Sequence, residues 1–280
     1  MIKSTKNTHA ALTQYYRWYQ LYEGELSDIR INNQMDILSD DVLIKSAAGE
    51  MKGSANYPDR LAMYKGWKNA HHVQNVNVTE VADGRLNLEA DIIYQNIQPS
   101  GEQSIYSVHY STFLEKSEGE LLPLFTELNL IPTSQLEPKP FEAAYADNRV
   151  LSLLHYWLLN MEQLDGNVLP FEEVLAPEFT LDFSTVGLIE STDQLAMWLQ
   201  TVPTQLKLSS HYPQNFSVKA IGDNQFEMEV NLVWRGVTKD DKAMKATTHH
   251  KWLIVDNPNE RFARIKTAKI TQVDALSLIE

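Results

Sequence analysis

The feature that most constrains this chain is a stretch written twice. His72–Ile97 reads HVQNVNVTEVADGRLNLEADIIYQNI, and His211–Val237 reads HYPQNFSVKAIGDNQFEMEVNLVWRGV. From Gln74 onward the two align without a gap at a shift of 140 residues, with Gln74-Asn75 on Gln214-Asn215, Val78 on Val218, Asp83 on Asp223 and Glu89 on Glu229. Apolar side chains recur at every second place: Leu86/Phe226, Leu88/Met228, Ala90/Val230, Ile92/Leu232 and Tyr94/Trp234. A period of two marks a strand with one wet face, and Asp83-Gly84 carries the signal of a tight β connection. The repeat is therefore a hairpin. A repeat at half of a 280-residue chain predicts two similar domains, each large enough to bury a core.

Charge and composition exclude several classes. The net charge of −13 is shared evenly, with 11 basic and 17 acidic residues in 1–135 and 13 and 20 in 136–280. With no basic stripe, no nucleic-acid partner is expected. No apolar run is long enough to span a bilayer, so no membrane partner is expected. The chain has no cysteine, which excludes disulfides, thiolate metal sites and a cysteine nucleophile. The opening MIKSTKNTHAALTQYY lacks the apolar core of a signal peptide, and the expected location is cytoplasmic.

Taken in order, Asn7 or Thr8 can cap a first helix running to about Tyr22, with Tyr15, Trp18, Tyr19 and Tyr22 at helical spacing. A weaker helix covers roughly Leu26–Ile37, and Val42–Ile44 reads as a short strand. Pro58 opens another helix. The repeated hairpin follows, turning at Ala82-Asp83-Gly84, and then strands of about Gln103–Glu115 and Leu121–Ile131. Three prolines between Pro132 and Pro140 mark a linker. The order then restarts. A helix to Met161 carries Leu154, Trp157, Leu158 and Met161, a stripe that matches the first at a shift of 139. Strand Glu178–Phe183, a helix capped at Ser191-Thr192-Asp193, the second hairpin, turning at Gly222-Asp223-Asn224, and two strands complete it. The expected division is domain 1 at 1–132, a linker at 133–140 and domain 2 at 141–280.

Each half reads as helices followed by four long strands, an α+β layer with helices on one face of a curved antiparallel sheet. With Leu38-Ser39-Asp40-Asp41-Val42 and Leu175-Ala176-Pro177-Glu178-Phe179 leading into the first strands, and the His-led hairpins, this order resembles the nuclear-transport-factor-2-like superfamily in its SnoaL-like branch. The resemblance implies two tandem cone-shaped α+β barrels and an internal pseudo-dimer. It also implies a pocket between the first helix and the concave sheet, where relatives such as ketosteroid isomerases, scytalone dehydratases and polyketide cyclases move protons without a cofactor.

Within that frame the candidate catalytic groups are His72 and His211, which open the hairpin strands, together with Tyr110, His250 and Asp182. On the third strands, Tyr106, Val108, Tyr110, Thr112 and Leu114, matched by Ala246, Thr248, His250, Trp252 and Ile254, form the more apolar face and are placed inside. His109 and His249 then face outward. Asp182 closes the first strand of the second half, where the resemblance implies the general base of isomerases. Trp18, Tyr22 and Tyr94 in the first half, and Trp157 and Trp234 in the second, are the candidate ligand-binding walls. The same aromatics also serve as plain core, and a histidine at a strand mouth also serves by bonding a carbonyl. No metal is expected, because His71-His72 and His249-His250 are strand neighbours that point apart. The expected function is binding of a small apolar molecule, with cofactor-free acid–base chemistry in which Asp182 or His250 is the base and His211 a second proton carrier. The alternative is a non-catalytic interaction or scaffold module, and it requires a filled core.

Overall fold

A computed structural model describes residues 2–24, 27–81, 84–222 and 224–279. The turn expected at 82–84 falls partly outside these residues, as does Asp223 of the second turn. The first half runs α1 (Lys6–Gln20), α2 (Asp28–Met35), β1 (Leu38–Ser46), β2 (Gly49–Lys52), α3 (Tyr57–Ala62), β3 (Lys68–Glu80), β4 (Leu86–Ile97), β5 (Gln103–Glu115) and β6 (Leu124–Gln135). The second runs α4 (Tyr145–Gln163), α5 (Leu169–Glu172), β7 (Leu175–Phe183), β8 (Gly187–Ile189), α6 (Thr192–Gln205), β9 (Leu206–Gly222), β10 (Gln225–Thr238), β11 (Ala243–Val255) and β12 (Arg264–Leu278).

Two six-stranded sheets have the same order, β2-β1-β6-β5-β4-β3 and β8-β7-β12-β11-β10-β9. The long strands pair antiparallel, while β1 runs parallel to β6 and β7 parallel to β12. The sheets are therefore mixed rather than wholly antiparallel. Three successive antiparallel steps from β3 bring β6 alongside β1 in the same direction. The chain is an α+β protein of two tandem, matching layers.

The repeated Gln-Asn has a structural meaning. The β3–β4 register slips between Val73 and Asn75, and the β9–β10 register slips one residue further along, between Gln214 and Ser217. Asn215 there adopts a positive φ of 53°, a conformation that asparagine tolerates better than most residues. A bulge of this kind bends the strand and increases its twist.

The expected linker is shorter than its composition implied. Strand β6 continues through Pro132 and Thr133 to Gln135, with Pro132 opposite Val108 beside a register shift that accommodates a residue without an N–H. The compact units do not follow the linear halves either. The N-terminal unit comprises residues 10–152, and the C-terminal unit comprises 1–9 together with 153–280. Each unit thus includes the first turns of a helix whose remainder belongs elsewhere.

In the N-terminal unit the α1 stripe buries Tyr15, Trp18 and Tyr19 against Leu88, Ile92, Tyr110 and Phe125. In the C-terminal unit Trp157 packs edge-on to Phe171 and Trp252, with ring centroids 4.9 and 5.7 Å away. Full burial of each such side chain stabilises by roughly 1.5–3 kcal/mol. Among the described residues, no helix is long and apolar enough to cross a membrane.

Candidate functional site

Strand phase decides which side chains reach the interior. In the N-terminal unit His71 pairs with Tyr94 and His72 with Ile93. Neighbours on a strand point to opposite faces, so His71, not the expected His72, shares the inner face with Tyr94. His72 turns away: its Nε2 lies 3.2 Å from Gln95 Oε1 and 3.1 Å from the Glu142 carbonyl. The hairpins align on His71 and His211 when the shift of 140 is carried back three residues from Gln74. Taking the second histidine of the pair placed the expected residue on the wrong face.

His71 is buried and stacked between Tyr19 and Tyr94, with ring centroids 4.5 and 5.0 Å away. Its Nδ1 lies 3.0 Å from Glu23 Oε1, and its backbone N–H donates to the same oxygen at 2.8 Å. Asn148 Nδ2 donates to both Glu23 oxygens, at 2.9 and 3.0 Å, and to the His71 carbonyl at 3.0 Å. The imidazole is thus held from its Nδ1 side, which leaves Nε2 as its other polar atom. His71 lines a cavity of about 120 Å³ with Trp18, Tyr22, Tyr94 and Tyr110. Burial, foremost, pushes the Tyr110 hydroxyl far above its ordinary range and keeps it a neutral donor.

The C-terminal unit repeats the arrangement. His211 donates its backbone N–H to Glu162 Oε1 at 2.6 Å, and its Nδ1 lies 3.1 Å from that oxygen. Thr5 Oγ1 donates to the two Glu162 oxygens at 2.8 and 2.7 Å. His9 takes the place of Asn148, with Nε2 3.3 Å from Glu162 Oε1 and 3.1 Å from the His211 carbonyl. His9 Nδ1 lies 2.9 Å from His155 Nδ1.

The Glu162 side chain is fully buried. Burial alone would raise its carboxyl, but hydrogen bonds from His211 and His9 overcome that and hold it at about 2. An ionised carboxylate only accepts hydrogen bonds, so His211 Nδ1 carries the proton and Nε2 carries the lone pair when the ring is neutral. Burial, and then the neighbouring His9, push His155 well below its usual range.

His211 opens onto a cavity of about 660 Å³ whose walls include Trp157, Phe183, Trp234, Thr248 and His250. That volume lies within the range that holds drug-sized ligands, roughly 300–1,000 Å³. Trp234 is set in this wall by contacts on two sides. Its Nε1 donates to Ser209 Oγ at 2.9 Å, and its ring lies over Gly236, where a Cβ would meet Trp234 Cζ2 at 2.2 Å. The first half has Asn96 at the matching place and the smaller Tyr94.

His250 faces the cavity, with Nε2 2.9 Å from Thr248 Oγ1, while its buried Nδ1 has no hydrogen-bond partner among the described residues. Burial first, then His211 and His249, push it down to about 3, so it is neutral near pH 7. Asp182 lies elsewhere. It pairs with Lys269, whereas Ile270 pairs with both Phe183 and His250. His250 therefore shares the Phe183 face, and exposed Asp182 points to the opposite side. The expected pair of Asp182 and His250 does not meet.

The expected aromatic walls, Trp18, Tyr22 and Tyr94 in one unit and Trp157 and Trp234 in the other, all line their cavities. His109 faces outward between Asp91 and Glu89, with ring nitrogens 2.9 Å from each, and Asp91 chiefly raises it above its ordinary value. His249 Nδ1 lies 2.9 Å from Asn231 Oδ1. Among the described residues, no three His, Asp or Glu side chains gather as a metal site would need.

Sequence reasoning missed Glu23, His71, Glu162, His9 and Asn148. The signal was present: the helix shift of 139 that superposes Trp18 on Trp157 also superposes Glu23 on Glu162 and His9 on Asn148.

No protein-family model and no curated protein matches the chain. Solved structures do. A candidate aromatic ring hydroxylase from Novosphingobium aromaticivorans is 14% identical with a TM-score of 0.43, the match covering 48% of this chain and 93% of its own. The hexachlorocyclohexane dehydrochlorinase LinA-type3 from Novosphingobium barchaimii is 6% identical with a TM-score of 0.42, covering 48% and 89%. A nuclear-transport-factor-2-like superfamily protein from Salmonella enterica serovar Typhimurium is 14% identical with a TM-score of 0.40, covering 45% and 90%. Each of these matches spans about half of this chain and about nine-tenths of the other.

Proposed function

We propose that the C-terminal unit binds a small, largely apolar molecule in its 660 Å³ cavity and that His211 acts there as a general base without a cofactor. The observation that carries this reading is the Glu162–His211 pair at the cavity wall. Glu162 holds the imidazole by Nδ1, so Nε2 takes a proton from a carbon next to an activating group. The buried carboxylate then stabilises the imidazolium that forms. An apolar wall keeps water from competing for the lone pair. His250, neutral and bonded to Thr248, supplies a second polar contact in the same cavity. Return of the proton to another carbon gives isomerisation, and loss of a leaving group gives elimination.

A scaffold module would call for a filled core, and the volume beside His211 favours the catalytic reading. The N-terminal unit carries the matching Glu23–His71 pair, but the cavity that His71 lines there, about 120 Å³, is too small for the same ligand.

The test uses 5-nitrobenzisoxazole, whose ring opening needs one base in an apolar pocket and nothing else. The protein is expected to open it with saturation, and His211→Gln to lower the rate by about 10²-fold or more, with folding confirmed by circular dichroism. Equal rates for the two folded proteins would remove His211 from the role.

A further inference from the structure

The cavity that His71 lines contains a charge that none of the described residues balances. Arg60, on α3, is 9% exposed and lines the cavity wall beside Tyr22, Tyr64 and Tyr94. Its guanidinium donates to the Ser46 hydroxyl at the end of β1. Among the described residues, no carboxylate lies within ion-pair distance of it. Asp59, its neighbour in the chain, is exposed and makes no ion pair with it, and Glu23, next to Tyr22, is occupied by His71 and Asn148. A buried cation without a counter-ion is costly, and such groups are normally paired.

The second recognition element is Tyr22. Tyr57 donates its hydroxyl to Tyr22 Oη at 2.7 Å, which leaves the Tyr22 proton to be given onward from the cavity wall. Arg60 is near enough to both phenols for its charge to act on them. The opening lies at Ser46, Ala47 and Ala48, a turn of which the two alanines are exposed. The volume of about 120 Å³ is below the roughly 150 Å³ in which an apolar cavity holds benzene.

We propose that this cavity binds a short-chain carboxylate anion, its two oxygens on the Arg60 guanidinium and the Tyr22 hydroxyl and its few carbons against the aromatic wall. Guanidinium and carboxylate match in plane and donor spacing. The matching region of the second half has no arginine: Leu195-Ala196-Met197-Trp198 stands where Leu61-Ala62-Met63-Tyr64 does, so Gln194 takes the place of Arg60. The two cavities therefore select different ligands, an anion in the smaller and an apolar molecule in the larger.

The experiment titrates the ¹⁵N-labelled full chain with sodium propionate and with propionamide, holding ionic strength constant with sodium chloride. Propionate is expected to bind with saturation and to shift the Arg60 side-chain and Tyr22 signals. Propionamide, the same shape without the charge, should bind about tenfold more weakly or worse. Arg60→Gln should lose propionate binding by a similar factor. Val108→Phe, which fills the cavity without touching the arginine, should lose it as well. Equal affinity for the amide, unchanged affinity in a folded Arg60→Gln protein, or no saturation by propionate would each overturn the proposal. If Arg60→Gln does not fold, the contrast between propionate and propionamide on the wild-type chain decides the matter.

Discussion

Glu162→Ala is expected to destabilise the C-terminal unit by about 3–5 kcal/mol, the usual consequence of removing one partner from a buried ionic cluster. The carboxylate accepts from the His211 backbone, the Thr5 hydroxyl and the rings of His211 and His9. Alanine would leave these donors in a dry site with no acceptor, and an unsatisfied buried donor costs about 1–3 kcal/mol. Glu162 also sits in the last turn of α4, where the helix dipole disfavours an anion. The surrounding donors, rather than the helix, hold it there. Glu162→Gln keeps one acceptor oxygen and is expected to lose less. Urea unfolding followed by tryptophan fluorescence measures both. A loss below about 1 kcal/mol for the alanine variant would mean the cluster is wetter than its geometry shows.

The second large effect is acid lability that begins above the carboxylate range. His250 is 6% exposed and pushed from 6.5 down to about 3, foremost by burial. Below pH 6.5 the unfolded chain takes up a proton at this histidine while the folded chain does not, so stability falls with pH until about 3. The slope is about 1.4 kcal/mol per pH unit for one such group, or about 3 kcal/mol by pH 4.5. His155 shifts in the same direction and adds to the loss. His109 works the other way: it is raised by Asp91, so its contribution is present below its unfolded value and lost as pH rises through the folded one. Its side chain is 35% exposed, and solvent screening keeps that contribution small. Glu162, depressed from 4.5 to about 2, contributes stability that is lost only as pH falls from 4.5 toward 2. Between 6.5 and 4.5 the loss therefore comes from the buried histidines and not from Glu162. His250→Gln keeps a hydrogen-bonding side chain on Thr248 and removes the titration. Its stability should fall by about 1.4 kcal/mol less per pH unit across that window. Parallel curves for the variant and the wild type would show that His250 titrates normally in the fold.

The fold was largely legible because the hairpin is written twice with an unbroken period of two, and because the stripes Trp18/Trp157 and Tyr22/Met161 follow the helical period. The short edge strands β2 and β8, of four and three residues, were not legible, because segments that short carry no period. The parallel pairing of β1 with β6 depends on long-range topology, not on local pattern. For the site, the phase of β5 and β11 placed Tyr110 and His250 inside. The choice of His72 over His71 failed by one residue, and on a strand one residue is the other face. Asp182 came from family resemblance alone, and the β7–β12 register turns it outward. Glu23 and Glu162 follow the aromatic stripes on the same helices. Polar residues at a helix end read as solvated until a strand histidine is found beside them.

The central claim is that Glu162 fixes the orientation and tautomer of His211 so that Nε2 offers a lone pair to the cavity. The most direct measurement is a long-range ¹H–¹⁵N spectrum of the His211 ring in its neutral form. The account predicts a protonated, hydrogen-bonded Nδ1 and an unprotonated Nε2 that shifts when a ligand enters the cavity, with the pattern lost in a folded Glu162→Ala protein, which has no acceptor there. A neutral ring protonated on Nε2, or one indifferent to Glu162→Ala, would contradict it.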